Sequence, residues 1–223
     1  MKHLRIMKHL RIIASVIGVP ILLALAACGG GGGDGDAAPA PPLVGVLLPQ
    51  TGQTICYRNS VPASVIDCST PGIPPGQDGQ HRAGVAWPTP RFTVAGDCVT
   101  DNLTGLMWAR NADLLAGTRT WQQALDYVNS LNALPRTQAL CGVTNWRLPN
   151  RNELRSLINY GEGNPATWLN AQGFSNVQAG NYWSSSSFAG SANSAWITVM
   201  VDGLVFTQLK SSSYFVWPVR AGQ

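Results

Sequence analysis

The chain has 223 residues, 45% of them apolar and only 12% charged, where an average soluble domain carries about 25% charged. That composition excludes a charge-rich disordered chain and a coiled coil, and 24 glycines and 15 prolines without a Gly-X-Y period exclude collagen while leaving room for a loop-rich fold. The formal charge of +4 is local: Lys2, Arg5, Lys8 and Arg11 precede Cys28, and the other eleven basic residues balance eleven acidic ones, so no nucleic-acid partner is expected.

Residues 1–27 have the three parts of a secretory signal. Lys8, His9 and Arg11 make a positive start, and Ile12 to Ala27 is apolar but shorter than the roughly 18 residues of a spanning helix. Leu25-Ala26-Ala27-Cys28 reads as a lipobox. The segment resembles bacterial lipoprotein signals, which implies that Cys28 is acylated (palmitate among its chains) and becomes the first residue. Each buried CH₂ of such a chain contributes about 0.8 kcal/mol to anchoring. Gly29, rather than aspartate, follows the cysteine, and the resemblance then favours the outer membrane of a cell envelope. The repeated Met-Lys-His-Leu-Arg-Ile at the start leaves Met1 and Met7 as alternative initiators.

Residues 28–42 form a Gly/Asp/Pro-rich tether with no core-forming side chain. Residues 43–90 are a turn-rich leader, punctuated by Pro71-Gly72, Pro74-Pro75-Gly76, Asp78-Gly79 and Pro88-Thr89-Pro90. From residue 91 to 223 the pattern becomes denser. Arg91 to Val99 and Gly105 to Arg110 read as strands joined by a turn at Asp101-Asn102. Thr120 and Gln123 make a capping box for a helix with Trp121, Ala124, Leu125, Val128 and Leu131 at helical spacing. Asn150 and Glu153 start a second helix, with Leu154, Leu157 and Ile158 on its inner face and Gly161 as its stop. Trp196 to Val201 and Leu204 to Leu209 read as a hairpin around Asp202-Gly203, and Tyr214 to Arg220 as a last strand. Two helices with antiparallel strands before and after them argue an α+β fold.

Four cysteines remain once Cys28 is assigned to lipid, and three pairings are open to them. The pairing favoured is Cys56–Cys68, closing a short leader loop, with Cys98–Cys141, pinning the start of the core to the turn before Trp146. A metal site is the weaker alternative, since there is no CxxC pair and His81 is the only histidine after Cys28. No cofactor is expected.

Five motifs stand in order: Thr104-Gly105-Leu106-Met107-Trp108, Trp121-Gln122-Gln123-Ala124, Asn145-Trp146-Arg147-Leu148-Pro149-Asn150 with Glu153-Leu154, Tyr182-Trp183-Ser184-Ser185-Ser186, and Val216-Trp217-Pro218-Val219-Arg220. Together they resemble the Lcl C-terminal domain family, named for a collagen-like bacterial surface adhesin. More distantly they are similar to the formylglycine-generating-enzyme and C-type-lectin-like superfamily. That implies a loop-rich, disulfide-stapled fold of two helices on a twisted, irregular antiparallel sheet, with its N- and C-terminal strands adjacent. It also implies adhesion, with a sulfated glycan as one class of partner.

Catalysis is not expected. There is no G-x-S-x-G, a Ser–His pair would need distant His81, and no cysteine follows Cys141. A hydrolase built on Glu153 or Asp202 is the enzymatic alternative, but no orienting base accompanies either acid. The candidate ligand residues are Arg147, Arg151 and Arg155, spaced to share one helix face, and Trp183, which opens a serine-rich run of the kind found in adaptable binding surfaces. The reading is a non-enzymatic, surface-anchored protein with an adhesin-like ligand-binding domain, a glycan being one class of ligand. The alternative is an envelope-assembly component with a protein partner, itself open to oligomerisation.

Overall fold

The computed structural model describes residues 48–60 and 62–222, so the export signal, Cys28 and the tether lie outside the described residues. The leader begins with a two-stranded antiparallel sheet, β1 (Cys56–Tyr57) with β2 (Val65–Ile66), followed by the single turn α1 (Asp78–His81). Cys56 is disulfide-bonded to Cys68, the first of the two expected bridges. Gln77 ties α1 to β1 through both ends of its amide, accepting from Tyr57 N at 2.9 Å and donating to Tyr57 O at 2.9 Å. Gly79 fits because a Cβ there would meet the Ile55 carbonyl at 2.2 Å.

Leader and core belong to one compact unit. Tyr160 N donates to Thr51 O at 3.0 Å, and Trp87 Nε1 donates to Gln50 O at 2.8 Å. Arg91 closes the joint. Only 5% exposed, it stacks 4.0 Å from the Trp87 ring, pairs with the buried Asp101 carboxylate at 3.3 Å and donates to Ser156 O at 2.5 Å. Burial pulls its guanidinium below the ordinary value, and the Asp101 charge works against that.

The core is α+β, with two antiparallel sheets rather than the single sheet expected. The first has the order β3 (Phe92–Ala95), β4 (Cys98–Asp101), β5 (Leu106–Ala109), β9 (Val219–Ala221), which places the last strand beside one of the earliest. The predicted strand from Arg91 to Val99 is two strands. Gly96 at φ +58° lets the chain reverse, and Ala95 pairs with Cys98 across a two-residue turn. The Asp101 carboxylate then accepts from Leu103 N and Thr104 Oγ1, both at 3.0 Å, to shape the next reversal. The second sheet has the order β6 (Asn181–Phe188), β7 (Ser191–Val199), β8 (Val205–Leu209).

Three core helices are present where two were read. α2 (Trp121–Asn132) and α3 (Arg151–Ser156) both carry the capping boxes predicted for them. α4 (Pro165–Ala171) starts at Asn164, whose side chain accepts from Thr167 N at 3.0 Å. α3 stops near Ser156 instead of running to Gly161. Another turn would need Tyr160 N to reach Ser156 O, but that carbonyl holds Arg91 and that amide holds Thr51. The Asp202-Gly203 hairpin is also wider than two residues. Met200 is fully buried and spends its backbone elsewhere, donating to Gly180 O at 2.9 Å and accepting from Ala166 N at 2.8 Å. Of the predicted strand from Tyr214 to Arg220, only its end joins β9. Trp217 Nε1 donates to Ala109 O at 2.7 Å inside the aromatic cluster of Trp108, Phe174 and Tyr182, whose ring centroids lie 5.1–5.5 Å from its own. The second disulfide, Cys98–Cys141, fastens β4 to the loop before Trp146, as expected.

Candidate functional site

Asn150 sets the site's first wall. Its side chain accepts from Asn152 N at 2.8 Å and Glu153 N at 3.0 Å, and Asn150 N donates back to Glu153 Oε2 at 2.8 Å. With the start of α3 fixed, Arg151 and Arg155 fall one turn apart on one face. Arg151 N donates to Ser186 Oγ at 3.1 Å, which joins α3 to β6. The Arg151 guanidinium lies 4.6 Å from the centroid of the Trp196 ring on β7, and Arg155 Nε reaches the Tyr160 hydroxyl at 3.4 Å.

The opposite wall is the tip of the β7–β8 hairpin. Asp202 Oδ1 accepts from Leu204 N at 3.0 Å, and Gly203 at φ +79° brings the tip against the segment that follows α3. A Cβ on Gly203 would meet Ile158 Cγ2 at 2.6 Å, so no larger residue allows the same approach. Between the walls is an open groove of about 370 Å³, lined by Arg151, Arg155, Tyr160, Trp196, Asp202 and the 203–205 segment. That volume is at the small end of ligand sites.

Among the described residues, ion pairs form only between Arg91 and Asp101 and between Arg147 and Glu153. Arg151, Arg155 and Asp202 therefore face the groove with their charges unpaired, and together they carry a net charge of +1.

The residues singled out in the sequence separate clearly. Arg151 and Arg155 meet in the groove. Arg147 does not join them: it precedes α3, in a backbone bridge with Val219, and so is not on the helix face. Its guanidinium grips Glu153 through two bonds of 2.5 and 2.6 Å, and those bonds hold it above its usual value. Trp183 is fully buried, not at a binding surface. It donates from Nε1 to Arg119 O at 2.9 Å and packs on Tyr214. The tryptophan that does reach the groove is Trp196, the opposite-facing neighbour of Ile197, which pairs with Trp183. The first two serines after Trp183 are tied to the backbone: Ser184 Oγ donates to Trp196 O at 2.7 Å and Ser185 Oγ to Pro149 O at 3.2 Å. Sequence reasoning missed Tyr160 altogether, and weighed Asp202 as a turn residue and a catalytic acid but not as a ligand contact. Glu153 is taken up by Arg147 and by its own helix cap.

Among the described residues, no group of three or more His, Cys, Asp or Glu is arranged to hold a metal ion, and no helix is long and apolar enough to cross a membrane. Residues 97–220, more than half of the chain, match the family described as the Lcl C-terminal domain, and every groove residue falls within that span. No curated protein matches the chain.

Proposed function

The chain belongs to the Lcl C-terminal domain family, and from that premise we propose that it is a non-enzymatic, adhesin-like surface protein that binds an acidic glycan in the groove between α3 and the β7–β8 hairpin. The observation that carries this reading is the pair of guanidinium groups, Arg151 and Arg155, set beside Trp196 and Tyr160 with no carboxylate among the described residues paired to either. Arginine forks match carboxylate and sulfate geometry, and tryptophan and tyrosine supply rigid contact area. Lipid attachment at Cys28, with the tether as spacer, would hold the domain at the outer membrane.

A second reading, a component of an envelope assembly, is favoured by the outer edge of β8, which no strand pairs among the described residues. Leu209 on β8 and Leu204 just before it are 55% and 60% exposed, and Phe206 lies between them in the chain.

The test is a glycan array probed with the full chain in detergent, at low and at high salt, alongside the double variant Arg151→Gln/Arg155→Gln. The expected result is binding to carboxylated or sulfated glycans that weakens with salt and falls at least about tenfold in the variant, the effect of losing a charge-assisted hydrogen bond. Equal binding by the variant and the native chain would overturn the groove as the site. Silence across the array would leave the assembly reading standing.

A further inference from the structure

Two arginines alone would make the groove an indiscriminate anion site, but a carboxylate shares it. Asp202 is exposed at the hairpin tip, and only Oδ1 is occupied, by its own loop through Leu204 N. It forms no ion pair with Arg151 or Arg155, so it does not neutralise them by contact. It acts at longer range, lowering the groove's net charge from +2 to +1 and leaving Oδ2 open to accept from a ligand. Residues 48–222 add little attraction, with eleven basic residues against nine acidic ones. Densely charged polymers bind through many cationic contacts on a basic field, whereas this groove offers two cations against one carboxylate.

We propose that Asp202 is the specificity-determining residue of the groove, selecting a sparsely charged, hydroxyl-rich acidic glycan and disfavouring densely sulfated chains. This rests on the groove being the ligand site. In the bound state the ligand's one acidic group sits at Arg151 and Arg155, and a neighbouring hydroxyl donates to Asp202. A second acidic group on the adjoining position would face the Asp202 carboxylate, and like charges a few ångströms apart repel even in water.

The test uses the full chain in detergent and two probes, a hyaluronan tetrasaccharide, sparsely carboxylated, and a heparin tetrasaccharide, densely sulfated. Asp202→Asn keeps the Oδ1 acceptor for Leu204 N, so the hairpin tip retains its bond. The native chain is expected to prefer hyaluronan. Asp202→Asn is expected to strengthen heparin binding by about fivefold, the effect of removing one repulsive charge, and to weaken hyaluronan binding by about tenfold, the effect of losing a charged acceptor. Arg155→Gln is expected to weaken both. If Arg155→Gln weakens both while Asp202→Asn leaves their ratio unchanged, the groove stands and the role given to Asp202 falls. If Arg155→Gln changes neither, the groove itself is wrong. A native preference for heparin overturns the selectivity directly.

Discussion

Asp101→Ala is expected to destabilise the protein by about 3–5 kcal/mol, the usual cost of removing one partner from a buried ion pair. The carboxylate is fully buried and holds three groups at once: the Arg91 guanidinium, Leu103 N and Thr104 Oγ1. Its loss leaves a cation sealed between Trp87, Phe92 and Trp168 with Ser156 O as its remaining acceptor. Because Arg91 also terminates α3 and braces the leader, the damage spreads to the end of α3 that carries Arg155. Urea denaturation measures the loss directly. A double change, Arg91→Met with Asp101→Leu, removes charge and countercharge together and is expected to recover much of the stability, since apolar replacements of buried pairs are often neutral. A cost below about 1 kcal/mol for Asp101→Ala, the range of exposed pairs, would mean that the cation finds water or another partner.

Replacing Cys98 and Cys141 together by alanine is expected to cost about 4 kcal/mol, the chain-entropy value for a bridge of this span. The two residues are 43 apart. The bridge holds the loop that precedes Trp146, whose indole donates to Leu140 O and Val143 O from a buried position. Trp146 in turn is gripped by Asn132 at the end of α2, with bonds of 2.7 and 2.8 Å. The bridge therefore acts, through Trp146, on the end of α2. Thermal denaturation with and without reductant reads the same effect, and removal of the leader bridge Cys56–Cys68, which spans only 12 residues, is expected to cost less. Equal losses for the two bridges would contradict the loop-length account.

What the sequence made legible was local. The capping boxes at Thr120/Gln123 and Asn150/Glu153 act within four residues, and both helices begin where those residues say. The i, i+4 spacing of Arg151 and Arg155 is a property of one helix turn, and it survives folding. The end of α3 was not legible, because the groups that stop it come from Arg91 and Thr51, far away in the chain. The same holds for Met200, drawn out of the hairpin by Gly180 and Ala166. α4 did carry a signal, asparagine followed by proline at a helix start, but in a segment too short for periodicity to support it.

The misreading of Trp183 is instructive in a different way. A run of serines suggested a wet surface, yet Ser184, Ser185 and Ser186 act as internal connectors between β6, β7 and α3. Strand alternation distinguishes the two tryptophans once the register is known: Trp183 and Ile197 face inward as a pair, so Trp196 faces Arg151. The sequence supplied both residues but not the register. The groove likewise depends on Gly203 meeting Ile158, a contact between residues 45 positions apart.

The most direct test of glycan binding in the groove is to follow the indole N–H signals of the tryptophans by NMR while a hyaluronan tetrasaccharide is added to the full chain in detergent. Arg151 lies over the Trp196 ring in the free protein, and a bound acidic group draws that guanidinium toward itself. The account predicts that the Trp196 signal shifts first and furthest, that the fully buried Trp183 and Trp217 signals stay in place, and that the Trp196 shift disappears in Arg151→Gln/Arg155→Gln. Saturable shifts at other indoles with Trp196 unmoved would contradict it.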